Sequence, residues 1–391
     1  MRVAFTLISC RSWAGGFHYQ LNLFRLLAKY RPGALQPVVF YGEEVDASDL
    51  DSLQAVPGVV LVHAPRVASR TFRGTLESLT LGKDGSAARL FREQRIDLVF
   101  ESARFFGWRF PTPTIAWIPD LQHRMLPDLF RARGFWRREI GFRAQVLGGR
   151  TLLLSSEDSR SAFCDLYGVD RSRTRVARFA VMLQSVPSIE EAAEVANQYA
   201  LPPCFVFMPN QFWRHKNHFL VIRALKILKD QGARVVVLAT GAQSDPRSPG
   251  HFASVCEAIT AAGLQEEFIV PGQVPYPDVS ALMRACSALL NPSLFEGWST
   301  TVEEARAFGV PMILSDLPVH REQAGTRADY FRKDDAAALA RALERVVLLS
   351  PSDRDKRLAA GMAEAERLSI QFVGDFIEAA DAAVKQAGGS L

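Results

Sequence analysis

The sequence predicts an α/β protein built from two doubly wound parallel-sheet domains. The chain has 391 residues, which is enough for two domains of ordinary size. Short apolar runs alternate with segments of helical periodicity over most of its length, as is typical of βαβ units. The alternation is interrupted around residues 186–203, where an acidic helical segment precedes the Pro202-Pro203 pair. We therefore expect two sheets with a hinge in that interval.

Six apolar runs in the first half have the length and composition of buried parallel strands. A helical pattern over Tyr19–Lys29 lies between the first two. The first run is also shorter than the apolar region of a signal peptide. The predicted strands are Val3–Ile8, Pro37–Tyr41, Val59–His63, Leu98–Glu101, Thr114–Ile118 and Thr151–Ser155.

The second half repeats this pattern and ends in an amphipathic segment. Its predicted strands are Phe205–Met208, Val235–Ala239, Phe268–Val270, Ala288–Leu290 and Met312–Leu314. Helical patterns between them cover His218–Lys229, Pro249–Ala262 and Val279–Cys286. We predict domains over residues 1–190 and 191–366, followed by a C-terminal helix over residues 367–391.

Composition and charge narrow the class of protein. Hydrophobic residues make up 48% and charged residues 23% of the chain, which is normal for a globular protein. The net charge of +4 is too small to indicate a nucleic-acid partner. Five scattered cysteines without a CxxC pair favour a reducing compartment, and no apolar run reaches the roughly 20 residues of a membrane span. We expect a cytoplasmic protein.

The stretch from 288 to 322 contains the most informative pattern. An apolar strand is followed by a tight loop, a helix with N-cap candidates at residues 299–301, a glycine stop at Gly309 and another strand. Free N–H groups at such a helix start attract phosphate. Glu296 and Glu304 flank that point, and both can face one crevice because Glu296 lies in the loop. The arrangement suits a sugar joined to a nucleoside diphosphate, although Glu-x7-Glu alone also fits a capped surface helix.

This segment resembles a known donor-site motif. Glu296-x7-Glu304, set in PSLFEGWSTTVEEA and followed by GVPMILSD, resembles the motif of retaining glycosyltransferases of the GT-B fold, family 4, the glycosyl transferases group 1. The resemblance implies two Rossmann-like doubly wound parallel-sheet domains facing a central cleft. It also implies a metal-independent enzyme with no cofactor, since the nucleoside-diphosphate sugar is a co-substrate.

The resemblance assigns roles to residues of the second domain. Glu296 would contact the donor sugar and act in catalysis, Glu304 would hold the ribose, and Val274 would lie in the loop that contacts the base. Lys216 matches a catalytic lysine on the diphosphate. Other donor-binding residues of this motif are Gly297, Trp298, Ser299, Thr300 and Thr301.

One basic position departs from the family pattern. The family commonly has an arginine about five residues before the lysine, where this chain has Gln211. Arg214 lies two residues before Lys216 instead. Whether its guanidinium replaces the missing one stays open.

The first domain supplies further candidates. Gly15 and Gly16 follow the first strand, where the family loop faces the diphosphate, although a plain tight turn is the alternative. Their spacing is not the G-x-G-x-x-G of dinucleotide-binding proteins. His123 resembles a catalytic family histidine beside the donor sugar. Asp120 and Tyr19 are placed on the acceptor side, while helix capping is the alternative for Asp120.

Residues 130–150 are rich in arginine and aromatic side chains. The composition favours a solvated helix with an apolar inner face. One alternative is that this segment contacts an anionic membrane peripherally, at the inner face of the cytoplasmic membrane. Another is that it binds a lipid-linked acceptor.

We therefore expect a retaining glycosyltransferase. It would move a hexose-type sugar of the mannose, glucose or rhamnose class from a nucleotide sugar to a glycan or lipid-linked acceptor, in surface polysaccharide synthesis. Two alternatives are an epimerase of nucleotide sugars on the same fold and a non-catalytic partner that binds nucleotide or glycan.

Overall fold

The chain forms two compact units. The structure, a computed structural model, describes residues 1–68, 72–102, 104–347 and 354–388. The first unit comprises Met1–Leu121, Ala132–Phe179 and Leu368–Leu391, and the second comprises Gln122–Arg131 and Ala180–Arg367. Contacts thus place residues 180–190 with the second unit. The last three residues of the predicted C-terminal helix lie outside the described part.

The first unit is built on a seven-stranded parallel sheet in the order β3-β2-β1-β4-β5-β6-β7. The order reverses between β1 and β4, so the sheet is doubly wound, as predicted. The last strand was not predicted because it has only three residues, one of them an arginine. The strands are β1 Arg2–Thr6, β2 Gln36–Tyr41, β3 Val60–His63, β4 Leu98–Glu101, β5 Thr114–Ile118, β6 Thr151–Leu154 and β7 Thr174–Val176.

Helices connect these parallel strands, because a parallel pair cannot be joined by a tight hairpin. The first eight helices are α1 Cys10–Tyr30, α2 Ala47–Gln54, α3 Pro65–Ala68, α4 Phe72–Thr80, α5 Gly85–Glu93, α6 Gln122–Met125, α7 Ala132–Leu147 and α8 Glu157–Tyr167. Of these, α6 belongs to the second unit. Helix α1 is broken at Trp13, whose φ of −160° and ψ of 89° are not helical.

The second unit has a six-stranded parallel sheet in the order β10-β9-β8-β11-β12-β13. Its order reverses between β8 and β11, which pair directly through Val206 and Ala288. The edge strand β13 was not predicted, because Asp329 interrupts its apolar pattern. The strands are β8 Val206–Pro209, β9 Val237–Thr240, β10 Phe268–Gly272, β11 Ala288–Asn291, β12 Met312–Ser315 and β13 Ala328–Phe331.

The remaining helices cover this sheet and end the chain. They are α9 Ile189–Gln198, α10 His218–Asp230, α11 His251–Ala261, α12 Tyr276–Ala285, α13 Thr300–Phe308, α14 Pro318–Ala324, α15 Ala336–Val347 and α16 Arg354–Gly388. Gly309 ends α13 with a left-handed φ of 65°, and a Cβ there would lie 2.1 Å from the carbonyl oxygen of Arg357. Only glycine therefore fits between α13 and α16 at this point.

The C-terminal part of α16 packs on the first sheet. Phe376 stacks on Phe5 with a centroid distance of 6.4 Å and lies 5.8 Å from Phe100. Phe372 contacts Tyr19 edge-on at 5.8 Å. Both helix phenylalanines are fully buried. Each such side chain contributes about 1.5–3 kcal/mol by leaving water, so the helix is an integral part of the first unit.

Candidate functional site

Two loops meet where the strand order of the second sheet reverses. A 3-10 turn, Arg214–Lys216, follows β8, and the loop that contains Glu296 follows β11. The N–H of Leu294 in the second loop donates to the carbonyl oxygen of His215 in the first at 2.7 Å. Open α/β sheets bind ligands at the carboxyl ends of strands at such a reversal, because the loops diverge there and leave a crevice.

Glu296 and Lys216 form a nearly buried ion pair at this point. Lys216 Nζ lies 2.6 Å from Glu296 Oε1, and the two side chains are 13% and 10% exposed. Ser293 Oγ donates to the same oxygen at 2.6 Å. Burial alone would raise the pKa of Glu296, but the positive charge of Lys216, assisted by His215 and His320, outweighs it and holds the pKa well below its usual range. The carboxylate is therefore ionised.

A buried polar network fixes the loop beneath this pair. Ser315 Oγ donates to the carbonyl oxygen of Ser293 at 2.7 Å. His320 Nδ1 donates to the carbonyl oxygen of Ser315 at 2.8 Å, which fixes the tautomer of the imidazole. Ser293 Oγ also lies 2.6 Å from Asn291 Oδ1. All four residues are buried. These buried hydrogen bonds thus fix the position of the loop that carries Glu296.

Helix α13 begins beside the pair with its first amides open. Ser299 occupies the N-cap position, but its hydroxyl makes no capping bond with any described residue and instead accepts from Asn291 Nδ2 at 2.9 Å. Its own N–H donates to Gln323 Oε1 at 3.1 Å. The N–H groups of Thr300 and Thr301 precede the first intrahelical bond of the helix. Together with the helix dipole, they form a site for an anion.

Glu304 lies on the second turn of α13 and is half-buried. The hydroxyl of Tyr276 donates to Glu304 Oε1 at 3.2 Å. Burial raises the pKa of Glu304 to about 7, and the Tyr276 hydrogen bond only partly offsets this effect. Val274, two residues before Tyr276, is half-buried against the core. The loop before α12 therefore lies on the Glu304 side of the site.

The remaining residues of the donor motif differ in their exposure. Gly297 is buried and Trp298 is half-buried, whereas Thr300 is exposed at the helix start. Arg214 is exposed at the beginning of the 3-10 turn. Its side chain is accessible to solvent, two residues before Lys216 in the sequence.

Gln211 has a structural role at the position where the family pattern has arginine. Its Oε1 accepts from the N–H of Ala242 at 2.6 Å, and the N–H of Phe212 donates to the carbonyl oxygen of Ala242 at 3.0 Å. An arginine has no acceptor and could not make the first bond. Gln211 therefore anchors the loop after β9.

The short segment with His123 belongs to the second unit. Gln122 Oε1 accepts from Arg247 Nη1 at 2.7 Å. The Arg247 guanidinium lies 5.1 Å from the Trp213 ring centre and 5.9 Å from that of Phe130. His123 is fully buried, with its ring edge-on to Phe130 at 6.3 Å. Arg247 thus holds both ends of this segment.

Arg247 is itself oriented by a buried carboxylate. Asp245 Oδ1 accepts from Arg247 Nε at 3.0 Å, and Oδ2 accepts from Nη2 at 3.2 Å. Such a two-point contact fixes the plane of the guanidinium. This contact could not be predicted from the sequence, because the loop 241–250 has no recognisable motif.

In the first unit, Gly15 and Gly16 lie in α1 just after its break. The ring of Trp13 covers them, and a Cβ on Gly16 would lie 2.5 Å from Trp13 Cε3. Trp13 stacks on Trp117 at 5.4 Å, and Tyr19 stacks on the same ring at 4.2 Å. Tyr19 is only 5% exposed. Its assignment to the acceptor side stays a prediction.

Asp120 forms an ion pair within the first unit. Its Oδ1 accepts from Arg138 Nη2 at 2.6 Å, with both side chains partly buried. Arg138 lies on α7. The pair ties the loop after β5 to that helix, and an acceptor role of Asp120 stays a prediction.

The second unit therefore brings together most of the predicted site. Glu296, Lys216 and the start of α13 lie on adjoining loops. Gly15, Gly16, Tyr19 and Asp120 lie in the first unit. Residues that the sequence did not reveal act through hydrogen bonds rather than through a motif: Tyr276, Ser293, His320, Gln323 and Arg247.

Comparison with known proteins identifies the class of fold and finds a family match for part of the chain. Two parallel-sheet α/β domains of this kind define the Rossmann-like GT-B fold. Residues 191–363, which are less than half of the chain, match the family described as Glycosyl transferases group 1. This match supports a transferase.

One curated relative is the O-antigen chain mannosyltransferase RfbU of Salmonella typhimurium, which is 25% identical over 134 residues. That match covers 34% of this chain and 36% of the relative, so it spans about a third of the mannosyltransferase.

Two solved structures share the fold over nearly the whole chain. A glycosyltransferase from Rickettsia africae has a TM-score of 0.71 and 15% identity, and the match covers 100% of this chain and 99% of that one. Anabaena Alr3699/HepE, in complex with UDP and glucose, has a TM-score of 0.70 and 17% identity, with 97% and 98% covered. In the described part of this chain, every helix is too short or too polar to span a membrane.

Proposed function

We propose that the protein is a retaining glycosyltransferase that uses a nucleoside-diphosphate hexose. The observation that carries this proposal is the Lys216–Glu296 pair, with 2.6 Å between its charged atoms, beside the uncapped start of α13. A carboxylate for sugar hydroxyls and an anion site for a diphosphate then adjoin in one unit. Glu304 on the same helix supplies a second carboxylate for the ribose.

The chemistry follows from where negative charge develops. When the bond between the anomeric carbon and the diphosphate oxygen breaks, its electron pair stays on the diphosphate. The ammonium of Lys216, the exposed guanidinium of Arg214 and the first amides of α13 would stabilise that charge. Preorganised donors of this kind are worth about 10²–10³ in rate each. In this proposal the reaction proceeds without a metal ion.

Other predicted residues take their roles from the family resemblance. His123 would contact the donor sugar, with Arg247 holding its segment in place. Val274 would lie against the base, and Gly297 and Trp298 would shape the sugar pocket. Gly15 and Gly16 would approach the diphosphate, while Asp120 and Tyr19 would act on the acceptor side.

The substrate class rests on the similar proteins. The Anabaena structure contains UDP and glucose, and the Salmonella relative is an O-antigen mannosyltransferase. The first supports a hexose donor, and the second supports a hexose donor and a glycan acceptor in surface polysaccharide synthesis. A lipid-linked acceptor is the alternative that we propose. We place the protein in the cytoplasm, where nucleotide sugars are made.

Product analysis tests the proposal. The purified protein is incubated with UDP- and GDP-hexoses, with and without bacterial glycan or lipid-linked acceptors, and products are followed by NMR. We expect free nucleoside diphosphate only with acceptor, an α-linked product from an α-linked donor, and unchanged rates in EDTA. A new sugar nucleotide formed without acceptor would instead favour an epimerase. If the protein binds a donor normally but turns over no combination of donor and acceptor, a non-catalytic binding protein would be favoured.

A further inference from the structure

Helix α7 exposes an apolar stripe to solvent. Trp136, Ile140 and Leu147 are 57%, 57% and 81% exposed. With about 100° of rotation per residue, the three lie within an arc of about 40°. Arg133 and Arg137 are exposed along one side of this stripe. Arg143 is exposed on the other side.

The stripe is additional to the helix face that packs on the domain. Phe142 and Val146 point the other way and pack against the core around Phe163. The single acidic residue of α7, Glu139, is buried, and its carboxylate accepts from Tyr167 at 2.8 Å. The outward face of α7 is therefore basic and apolar, without an acidic side chain. A helix that only needed solvation would not require three large apolar residues there.

The end of α7 lies near two loops that carry further exposed apolar side chains. Arg150 Nη2 donates to the carbonyl oxygen of Gly107 at 2.6 Å, and Nη1 donates to that of Gly148 at 3.2 Å. These bonds bring the end of α7 next to Trp108, which is 39% exposed and lies against the loop of Leu81, 64% exposed. Two basic side chains are exposed beside them, Lys83 and Arg109.

Exposed large apolar side chains are concentrated in this region. Of the twelve large apolar side chains exposed in the described part of the chain, five lie in this region of the first unit. We call the region the basic-apolar face. It consists of Leu81, Trp108, Trp136, Ile140 and Leu147 with Lys83, Arg109, Arg133, Arg137 and Arg143.

We propose that the basic-apolar face docks on an anionic lipid bilayer. Tryptophan and aliphatic side chains would enter the headgroup region, while the flanking arginines and lysine would meet lipid phosphates. Arg143 is paired with Glu139, with 2.8 Å between Nε and Oε1, which leaves four basic residues of the face for lipid phosphates. Each basic residue near such a surface strengthens binding about fivefold, so these four are sufficient for peripheral attachment. The inference goes beyond the proposed transfer reaction, because it concerns a surface and not the donor site.

Charge favours lipid over a second copy of the chain. In a symmetric dimer the same patch lies on both subunits, so arginines would face arginines across the contact. An anionic surface removes that repulsion. It also accepts side chains at any lateral position, which suits a face that consists of one helix and two loops.

Vesicle co-sedimentation tests the proposal. The full-length protein is mixed with vesicles of phosphatidylglycerol and phosphatidylethanolamine, or of phosphatidylcholine alone, at low and high salt. We expect binding to the anionic vesicles that weakens with salt, and little binding to the neutral ones. The assay contains no nucleotide sugar, so its outcome is independent of the proposed transferase activity.

Matched variants separate this face from general charge. Arg133→Glu with Arg137→Glu, and separately Trp136→Ser with Ile140→Ser, should each weaken binding at least about tenfold. Arg223→Glu with Arg341→Glu makes the same charge change on exposed helix positions of the second unit and should bind nearly as the wild type does. Thermal melts check that each variant is folded.

Fluorescence locates the contact. Brominated anionic lipid should quench the wild type more than Trp136→Phe, because the indole of Trp136 would lie among the acyl chains. Absence of wild-type binding to anionic vesicles would overturn the proposal. Equal losses in the face variants and in the control pair would overturn it as well, and would indicate attraction by net charge alone.

Discussion

Lys216 and Glu296 lie 80 residues apart in sequence, yet their charged atoms are 2.6 Å apart at the reversal point of the second sheet. Each comes from a loop that follows a central strand, and the two strands pair directly. The fold therefore places one charge of each sign at the point where ligands of open parallel sheets bind. Both partners are nearly buried, so the pair affects stability as well as chemistry.

Removing one partner of this pair should be costly. Lys216→Ala leaves the Glu296 carboxylate buried without its counter-ion, and we expect the free energy of unfolding to fall by about 3–5 kcal/mol. Urea titration measures this loss. The double variant Lys216→Met, Glu296→Gln should lose clearly less than the sum of the two single variants. If the losses in unfolding free energy of the two single variants simply added up in the double variant, Lys216 and Glu296 would not interact.

Arg214 should act on the donor and not on the fold. Because the side chain is exposed, Arg214→Ala should leave the melting temperature unchanged. A charge-assisted bond to phosphate is worth about 1.5–3 kcal/mol, so the Kd for a nucleotide sugar should rise at least about tenfold. Calorimetry measures the Kd, and Arg223→Ala on α10 is the control. Equal affinities of the two variants would mean that Arg214 does not replace the family arginine.

Glu304 should make donor binding depend on pH. Its pKa of about 7 means that the carboxylate is protonated below that pH in the free protein. If the ionised form binds ribose, affinity should rise up to about tenfold per pH unit as pH increases toward 7, and then level off. Calorimetry with a nucleotide sugar between about pH 5.5 and about pH 8.5 follows this change, since its diphosphate does not titrate there. Glu304→Gln should give a flat profile.

The same pKa predicts a stability change of defined sign. A folded-state pKa raised above the ordinary carboxyl value means that the folded protein holds the proton more tightly than the unfolded chain. Stability should therefore decrease as pH rises from about 4.5 to about 7, relative to Glu304→Gln. Melting temperatures of both proteins across this range test the sign. A wild type that gains stability relative to the variant would refute the assignment.

Arg247 should influence turnover more than donor affinity. It bonds to Gln122 at 2.7 Å and packs on Phe130, so it fixes the segment that carries His123. We expect Arg247→Ala to lower kcat about tenfold, since one charged bond is lost, with little change in the Kd for the donor. Gln122→Ala should act similarly, and combining the two should add little. Arg341→Ala is the control. If the effects of Arg247→Ala and Gln122→Ala on kcat were fully additive, the two residues would not act through their shared contact.

The sequence predicted the architecture, and it pointed to the loops that carry most of the candidate residues of the second unit, for a physical reason. Buried strands are short apolar runs, and helix starts and stops depend on local residues such as Gly309. Glu296 and Lys216 stand next to such elements, so their loops were recognisable. Strand β7 and strand β13 were missed because charged residues interrupt their apolar patterns.

Long-range hydrogen bonds could not be predicted in the same way. Gln323 donates to and accepts from the backbone of Ser299, 24 residues away, although neither residue belongs to a sequence pattern that implies the other. The same is true of Tyr276 with Glu304 and of Arg247 with Gln122. These contacts depend on how helices pack, which local periodicity does not specify.

The most direct test of the central claim is a calorimetric titration with UDP- and GDP-hexoses of the wild type and of Thr300→Pro. Proline is tolerated at the first helical position, and Ser299 already has extended φ and ψ, so this change removes one amide without breaking α13. We predict one donor site in the wild type and a Kd raised about tenfold in the variant. No heat with any sugar nucleotide, or equal affinities of the two proteins, would contradict capture of the diphosphate at the start of this helix.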